Sequence, residues 1–163
     1  MVAPTEPAAK VGQEVTGQVS IQKIYVKDLS FEAPNSPQVF SENWEPTVDI
    51  HINNAVQPLG EDLIEVVLGI TVTVKAEDKT VYLVELQQAG LFEIRGLPAE
   101  HLQALTATAC PNILFPFARE AVSDAITRGG FPQLLLAPVN FEQLYAQERA
   151  RSSGHGEQSE STH

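Results

Sequence analysis

CPNILFPFAREAVSDAITRGGFPQLLLAPVNF, residues 110–141, is the stretch whose reading decides the fold. Ile113, Leu114, Phe117, Ala121, Val122, Ala125 and Ile126 recur at steps of three and four, which sets them along one face of a helix. Arg119, Glu120, Ser123, Asp124 and Arg128 take the other side. Pro111 suits a first helical turn, whereas Pro116 would remove a hydrogen bond from any helix begun well before it. The spacing therefore predicts a break or kink between residues 109 and 116. Gly129 and Gly130 supply a left-handed stop after Arg128, whose cation favours the helix's negative end. FPQLLLAPVN then is too apolar for a solvated loop and too broken by Pro132 and Pro138 for a helix, so it must pack or be bound. Asn140 is a good N-cap for a final helix carrying Phe141, Leu144, Tyr145 and Arg149.

Upstream of this stretch the pattern changes from helix to strand. Residues 19–26 are rich in β-branched and aromatic side chains with both alternation phases apolar, as in a strand covered on both faces or containing a bulge. Residues 28–46 read as a long connection, punctuated by Pro34, Pro37 and Pro46 yet carrying Leu29, Phe31, Val39, Phe40 and Trp44. Its aromatic side chains either dock on the domain's own core or wall an apolar groove. Residues 47–53 alternate, with Val48, Ile50 and Ile52 against Thr47, Asp49 and His51, and predict a half-exposed strand before a turn region at 53–60. Residues 61–75 are the strongest strand, with Ile64, Val66, Leu68, Ile70, Val72 and Val74 on the core face. Glu77-Asp78-Lys79 turns the chain into an antiparallel return strand that sets Tyr82, Val84, Leu86 and Gln88 on one side and Val81, Leu83, Glu85 and Gln87 on the other. Residues 98–109 predict a helix with Leu102, Leu105 and Ala109 on one stripe and His101 at the surface.

A chain of 163 residues that is 43% hydrophobic supports one domain with a real core. The ends differ from the middle: residues 1–18 read as a flexible lead-in, 19–150 as the folded domain, and the Gly/Ser-rich residues 151–163 as a disordered tail. The formal charge of −11 repels nucleic acid and anionic lipid, and favours basic partners. No run reaches the roughly 18 apolar residues of a membrane helix, and the N-terminus carries no basic and apolar blocks of a signal peptide, which predicts a cytoplasmic protein without membrane insertion. A single cysteine, Cys110, excludes an internal disulfide and reads as a packing residue.

Bond-making chemistry has no visible seat. Neither GxxxxGK[ST] nor GxGxxG occurs, and His51, His101, His155 and His163 lack ligand spacing, so neither cofactor nor metal is expected. Carboxylate pairs such as Glu61-Asp62 and Glu77-Asp78 sit at turns, where solvation accounts for them. An enzyme acting on a small ligand through Asp49, His51 or Cys110 is the alternative of a different class. A soluble α+β domain with surplus apolar loop surface suggests oligomerisation, client binding, or both.

Four strings carry a family resemblance: IQKIYVKDLSFEAPNSP at 21–37, ELQQAGLF at 85–92, ACPNILFPFARE at 109–120 and GGFPQLLLAPVNF at 129–141. Over residues 19–147 the chain resembles the SecB protein-export chaperones. The resemblance implies an α+β fold, a four-stranded antiparallel sheet with helices on one face, assembled as a dimer of dimers (a homotetramer). It also implies a cytosolic, ATP-independent holdase that binds unfolded precursor proteins and passes them to the translocase ATPase SecA. By the same resemblance Asp28, Glu32, Leu83 and Glu85 would contact SecA, and Val84, Leu86 and Gln88 would hold the tetramer together. Phe31, Phe40, Trp44, Phe141 and Tyr145 would wall a client groove between the long connection and the C-terminal helix. Val84 stands where the family often has cysteine, and QQAG, with Ala89, replaces the more usual QQGG; both changes bear on tetramer packing. A SecB-like chaperone dedicated to one client, such as an antitoxin, is the alternative within the same fold.

Overall fold

The computed structural model describes residues 17–155. The expected lead-in lies outside them except for Gly17 and Gln18, and the expected tail lies outside them from residue 156 onward. Four antiparallel strands form one sheet: β1 (Gln18–Glu32), β2 (Thr47–Pro58), β3 (Leu63–Ala76) and β4 (Lys79–Arg95), in the order β1-β4-β3-β2. Three helices follow, α1 (Ala99–Ala107), α2 (Ala109–Arg128) and α3 (Phe141–His155). Helix α2 lies over β4 and β3, the two central strands. Their alternation explains why: Ile64, Val66, Leu68, Ile70, Val72 and Val74 sit opposite Phe92, Gly90, Gln88, Leu86, Val84 and Tyr82, and all turn toward the helices.

β1 runs to Glu32, past residue 26 where the alternation appears to end, so the connection shrinks to residues 33–46. Two bulges account for the misreading. Register shifts between Ile21 and Lys23 and between Val26 and Asp28 leave Gln22 and Lys27 as extra residues. Each shift restores the phase, and Val19, Ile21, Ile24, Val26, Leu29 and Phe31 all point to the helix side although their spacing is not strictly two. The same shifts turn Asp28, Ser30 and Glu32 outward.

β2 also exceeds its expected length and ends at Pro58. It is an edge strand, where a missing N–H on the open side costs no ladder bond. Asn54 donates its side-chain N–H to the carbonyl of Thr106 at 3.0 Å, which ties this edge to α1. The β3–β4 turn is the tight one expected, with Glu77 at φ 56°.

The helical break falls at Thr108 (φ −123°, ψ −70°), just before the expected interval, and Pro116 lies inside α2 without ending it. Pro111 falls in the first turn, where no donor is required. The buried stripe of α2 is Leu114, Ala118, Val122 and Ile126 with Cys110 and Phe115, while Phe117, expected on that face, is 47% exposed. The apolar arc is wider than the sheet can cover, so its edge is left unpartnered. α2 ends at Arg128 as expected: Gly130 takes φ 88°, and Phe131 N–H reaches back to the Ile126 carbonyl at 3.2 Å. Residues 131–140 pack by Phe131, Leu134, Leu136 and Val139 and leave Leu135 outside. Asn140 Oδ1 accepts from Gln143 N–H at 3.0 Å, the N-cap of α3. That helix continues through residue 151, where the sequence suggests a tail, to His155.

Candidate functional site

Among the described residues no element covers the second face of the sheet. There the register aligns three rows across all strands: Asp28, Gln87, Gly69 and Asn53; then Ser30, Glu85, Thr71 and His51; then Glu32, Leu83, Thr73 and Asp49. The four residues singled out as a partner-contact set, Asp28, Glu32, Leu83 and Glu85, thus occupy neighbouring strands on one face. Asp28, Glu32 and Glu85 are exposed and Leu83 is half-buried. None of the three carboxylates is ion-paired among the described residues. Asp28 and Glu32 belong to strand β1, not to the connection expected over residues 28–46.

A polar cluster on this face was not legible in the sequence. Glu65 is 7% exposed, accepts a hydrogen bond from the Tyr25 hydroxyl, and lies 2.7 Å from Lys27 Nζ. Tyr25 and Lys27 reach it across β4, where Ala89 stands opposite Tyr25 and is fully buried. Ala89 therefore has no part in packing on the helix side. The Lys27 and Tyr25 hydrogen bonds hold the Glu65 carboxyl below its usual range against the opposing effect of burial. Burial, and then Glu65 itself, pushes the Tyr25 phenol up to about 12.

The sign of the resulting pH dependence follows. A lowered folded-state value stabilises the fold above the ordinary carboxyl value of 4.5 and is lost as pH falls through and below it. Urea midpoints of the protein and of Glu65→Gln are therefore expected to converge as pH drops below about 4.5. A gap between them that is constant from pH 7 to pH 3 would contradict the charge-assisted cluster.

Val84, Leu86 and Gln88, expected to hold the tetramer together, are buried within the chain itself. They lie on the helix side beneath α2 and are 0%, 2% and 2% exposed. Gln88 donates to the Tyr25 carbonyl at 3.1 Å, and its Oε1 is buried without a partner.

The five aromatic residues assigned to one groove fall in three places. Phe31 stacks on Tyr82 (6.0 Å) and, with Phe40, meets Phe131 (6.3 and 5.0 Å) at the end of the sheet beside the α2 C-terminus. The Phe31 ring packs into the space that a Cβ at Gly129 would occupy, so a larger residue there would have to displace the ring. Trp44 donates to the Val39 carbonyl at 3.1 Å and fixes the connection over a cavity of about 760 Å³ lined by Glu42, Glu45, Glu77 and Lys79. Phe141 is buried against Phe115, and Tyr145 lines a separate groove of about 480 Å³ between β2, α1 and α3.

That groove is the more apolar of the two, with Ile52, Val56, Pro58, Leu102 and Leu144 in its walls. It continues onto Val48 and Ile50, which face the helix side of β2 but lie beyond the helices' reach. The β2 alternation signalled an apolar face. It could not signal that the helices stop short of it.

Asp49, His51 and Cys110 do not form one centre. His51 Nε2 and Asp49 Oδ2 are 3.0 Å apart on the uncovered face, both well exposed. Cys110 is buried in α2 on the helix side, where desolvation pushes its thiol up to about 12, away from the reactive thiolate.

With its β1-β4-β3-β2 sheet and helices on one face, this is an α+β protein of the SecB-like fold. The profile of the family described as preprotein translocase subunit SecB matches residues 12–152. The protein-export protein SecB of Methylococcus capsulatus is 56% identical over 136 residues, 83% of this chain and 88% of the relative. That of Chromobacterium violaceum is 51% identical over 144 residues, 88% and 96% respectively. A solved Mycobacterium tuberculosis SecB-like chaperone, Rv1957, in complex with a ChAD peptide from the HigA1 antitoxin, shares the fold with a TM-score of 0.63 at 22% identity, covering 75% of this chain and 91% of that one. The chain belongs to the SecB family of protein-export chaperones, which is not a class of enzymes.

Proposed function

We propose that this protein is a cytoplasmic, nucleotide-independent holdase that keeps precursor proteins unfolded and passes them to the translocase ATPase SecA. Family membership across most of the chain is the observation that carries the reading. The apolar groove beside β2 supports a client site. Val56 and Leu144 are 44% and 42% exposed at its rim, and β2 is an edge strand whose open backbone groups can pair with an extended chain of any sequence. A folded client offers neither free backbone nor exposed apolar side chains.

Assembly as a dimer of dimers fits the apolar surface left on the helix side of β1, where Val19, Ile21, Val26 and Leu29 are exposed, and on Phe117 of α2. Several weak client sites on one tetramer would then act together through effective concentration. SecA would dock on the uncovered face at Asp28, Glu32, Leu83 and Glu85, leaving the client groove free on the helix side. A chaperone dedicated to a single client is the second reading; the SecB-like protein solved with an antitoxin peptide shares the fold with this chain, and the relatives at about half identity are export proteins.

A nucleotide-free titration with one secretory precursor, unfolded in one series and folded in the other, tests the holdase reading. Saturable binding is expected to the unfolded form alone. Val56→Asp combined with Leu144→Asp should weaken it about tenfold, since each change removes roughly half of one apolar side chain's contribution. No binding to either form, or binding to one client with indifference to unfolded precursors, would move the assignment to the dedicated chaperone.

A further inference from the structure

We infer that Glu65 is a positioning residue for the docking face: by holding the Lys27 ammonium it keeps that cation off Asp28 and leaves the acidic surface open to a basic partner. The inference rests on reading the uncovered face as the SecA docking surface. In a regular strand Lys27 and Asp28 would point to opposite faces. The second β1 bulge puts both on the uncovered one, Lys27 as the extra residue and Asp28 opposite Gln87. Neighbours in sequence and on the same face, they carry opposite charges that a free Lys27 could pair. Instead the Lys27 ammonium lies 2.7 Å from Glu65, on β3, and no cation pairs with Asp28, Glu32 or Glu85 among the described residues.

The holder is built for its task. The Glu65 side chain is 10% exposed, and its second oxygen is taken up by Tyr25, so the carboxylate cannot swing away with its cation. A buried carboxylate on the open face of a sheet has a desolvation cost that a neutral residue at the same place would avoid. Its compensating effect here is to fix where one positive charge lies.

Two substitutions separate this role from a structural one. Glu65→Gln is expected to free Lys27 to pair with Asp28 and to weaken SecA binding about three- to fivefold at low ionic strength, the upper scale of one exposed ion pair added to the competition. Adding Lys27→Gln to Glu65→Gln removes the loose cation and should return the affinity to within about twofold of the starting protein, whereas a merely structural loss would persist or deepen. Glu61→Gln, which changes the net charge equally at an exposed turn, should leave affinity unchanged. A double variant as weak as Glu65→Gln, or an equal loss in Glu61→Gln, would overturn the inference. If the unaltered protein fails to bind SecA, the docking reading fails, and side-chain NMR of the Lys27 ammonium then decides this point on its own. Transfer of its hydrogen bond to Asp28 in Glu65→Gln supports the positioning role, and an ammonium left in solvent overturns it.

Discussion

Val84→Asp is expected to unfold the chain and not merely to dissociate the proposed dimer of dimers. Val84 has no exposed surface, sits on β4 between Val72 and Phe31 in the register, and lies beneath α2. An aspartate there would place a carboxylate in the core with no cation to receive it. Leaving a buried charge uncompensated costs about 3–5 kcal/mol, a large share of the roughly 5–15 kcal/mol that holds a typical domain together. Urea unfolding followed by circular dichroism, at two protomer concentrations, reads the effect alongside sedimentation. The expected result is a fall in stability of several kcal/mol at both concentrations, with loss of secondary structure accompanying any dissociation. A variant that keeps its sheet and helices and only separates into smaller oligomers would place Val84 at a contact between chains. The milder Val84→Ala should cost about 1–3 kcal/mol, in keeping with a small cavity, and should leave assembly intact.

The strands were legible where one face alone is apolar and the pattern runs unbroken. β3 meets both conditions, and its six inward residues are all in the core. β1 fails the second, because the bulges at Gln22 and Lys27 break a strict alternation. The steps of three from Ile21 to Ile24 and from Val26 to Leu29 were the available signal, and they mark the two bulges once a strand is assumed to continue. Reading that segment as a loop placed Asp28 and Glu32 in a connection. The register makes them neighbours of Glu85 and Leu83.

The helix side was harder to read, for a reason of geometry. Periodicity gives the direction of an apolar stripe but not its angular width, and α2 carries more apolar surface than β3 and β4 can cover. Phe117 therefore emerges at the edge of a stripe expected to be buried. The family resemblance implies one groove for the five aromatic residues. Their separation depends on chain length and direction: Phe31 and Phe40 lie at the α2 C-terminus, and Tyr145 lies on a helix that begins after residues 131–140 have crossed back past α2. The Glu65 cluster depends on contacts between strands remote in sequence, and no local pattern announces it.

Reversing two charges on the uncovered face, Asp28→Lys with Glu85→Lys, is expected to weaken SecA binding roughly thirtyfold at low salt. Each exposed carboxylate contributes up to about 1 kcal/mol to a basic partner, and replacing attraction with repulsion at two sites brings the total to roughly 2 kcal/mol. Stability should be almost unchanged, since both residues are exposed and neither holds an ion pair among the described residues. Client binding should be unchanged as well, because the groove beside Tyr145 opens on the opposite face of the sheet. The loss should shrink as ionic strength rises toward about 1 M, where the screening length falls to about 3 Å. Leu83→Ala supplies the contrast: Leu83 shares a row with Glu32 beside the row of Glu85, carries no charge, and its loss should weaken docking by a factor that salt does not alter. Isothermal titration of SecA at low and high salt distinguishes the two kinds of loss. Unchanged affinity in the double variant would remove the docking function from this face, and loss of the oligomer would show that the face has a partner within the assembly instead.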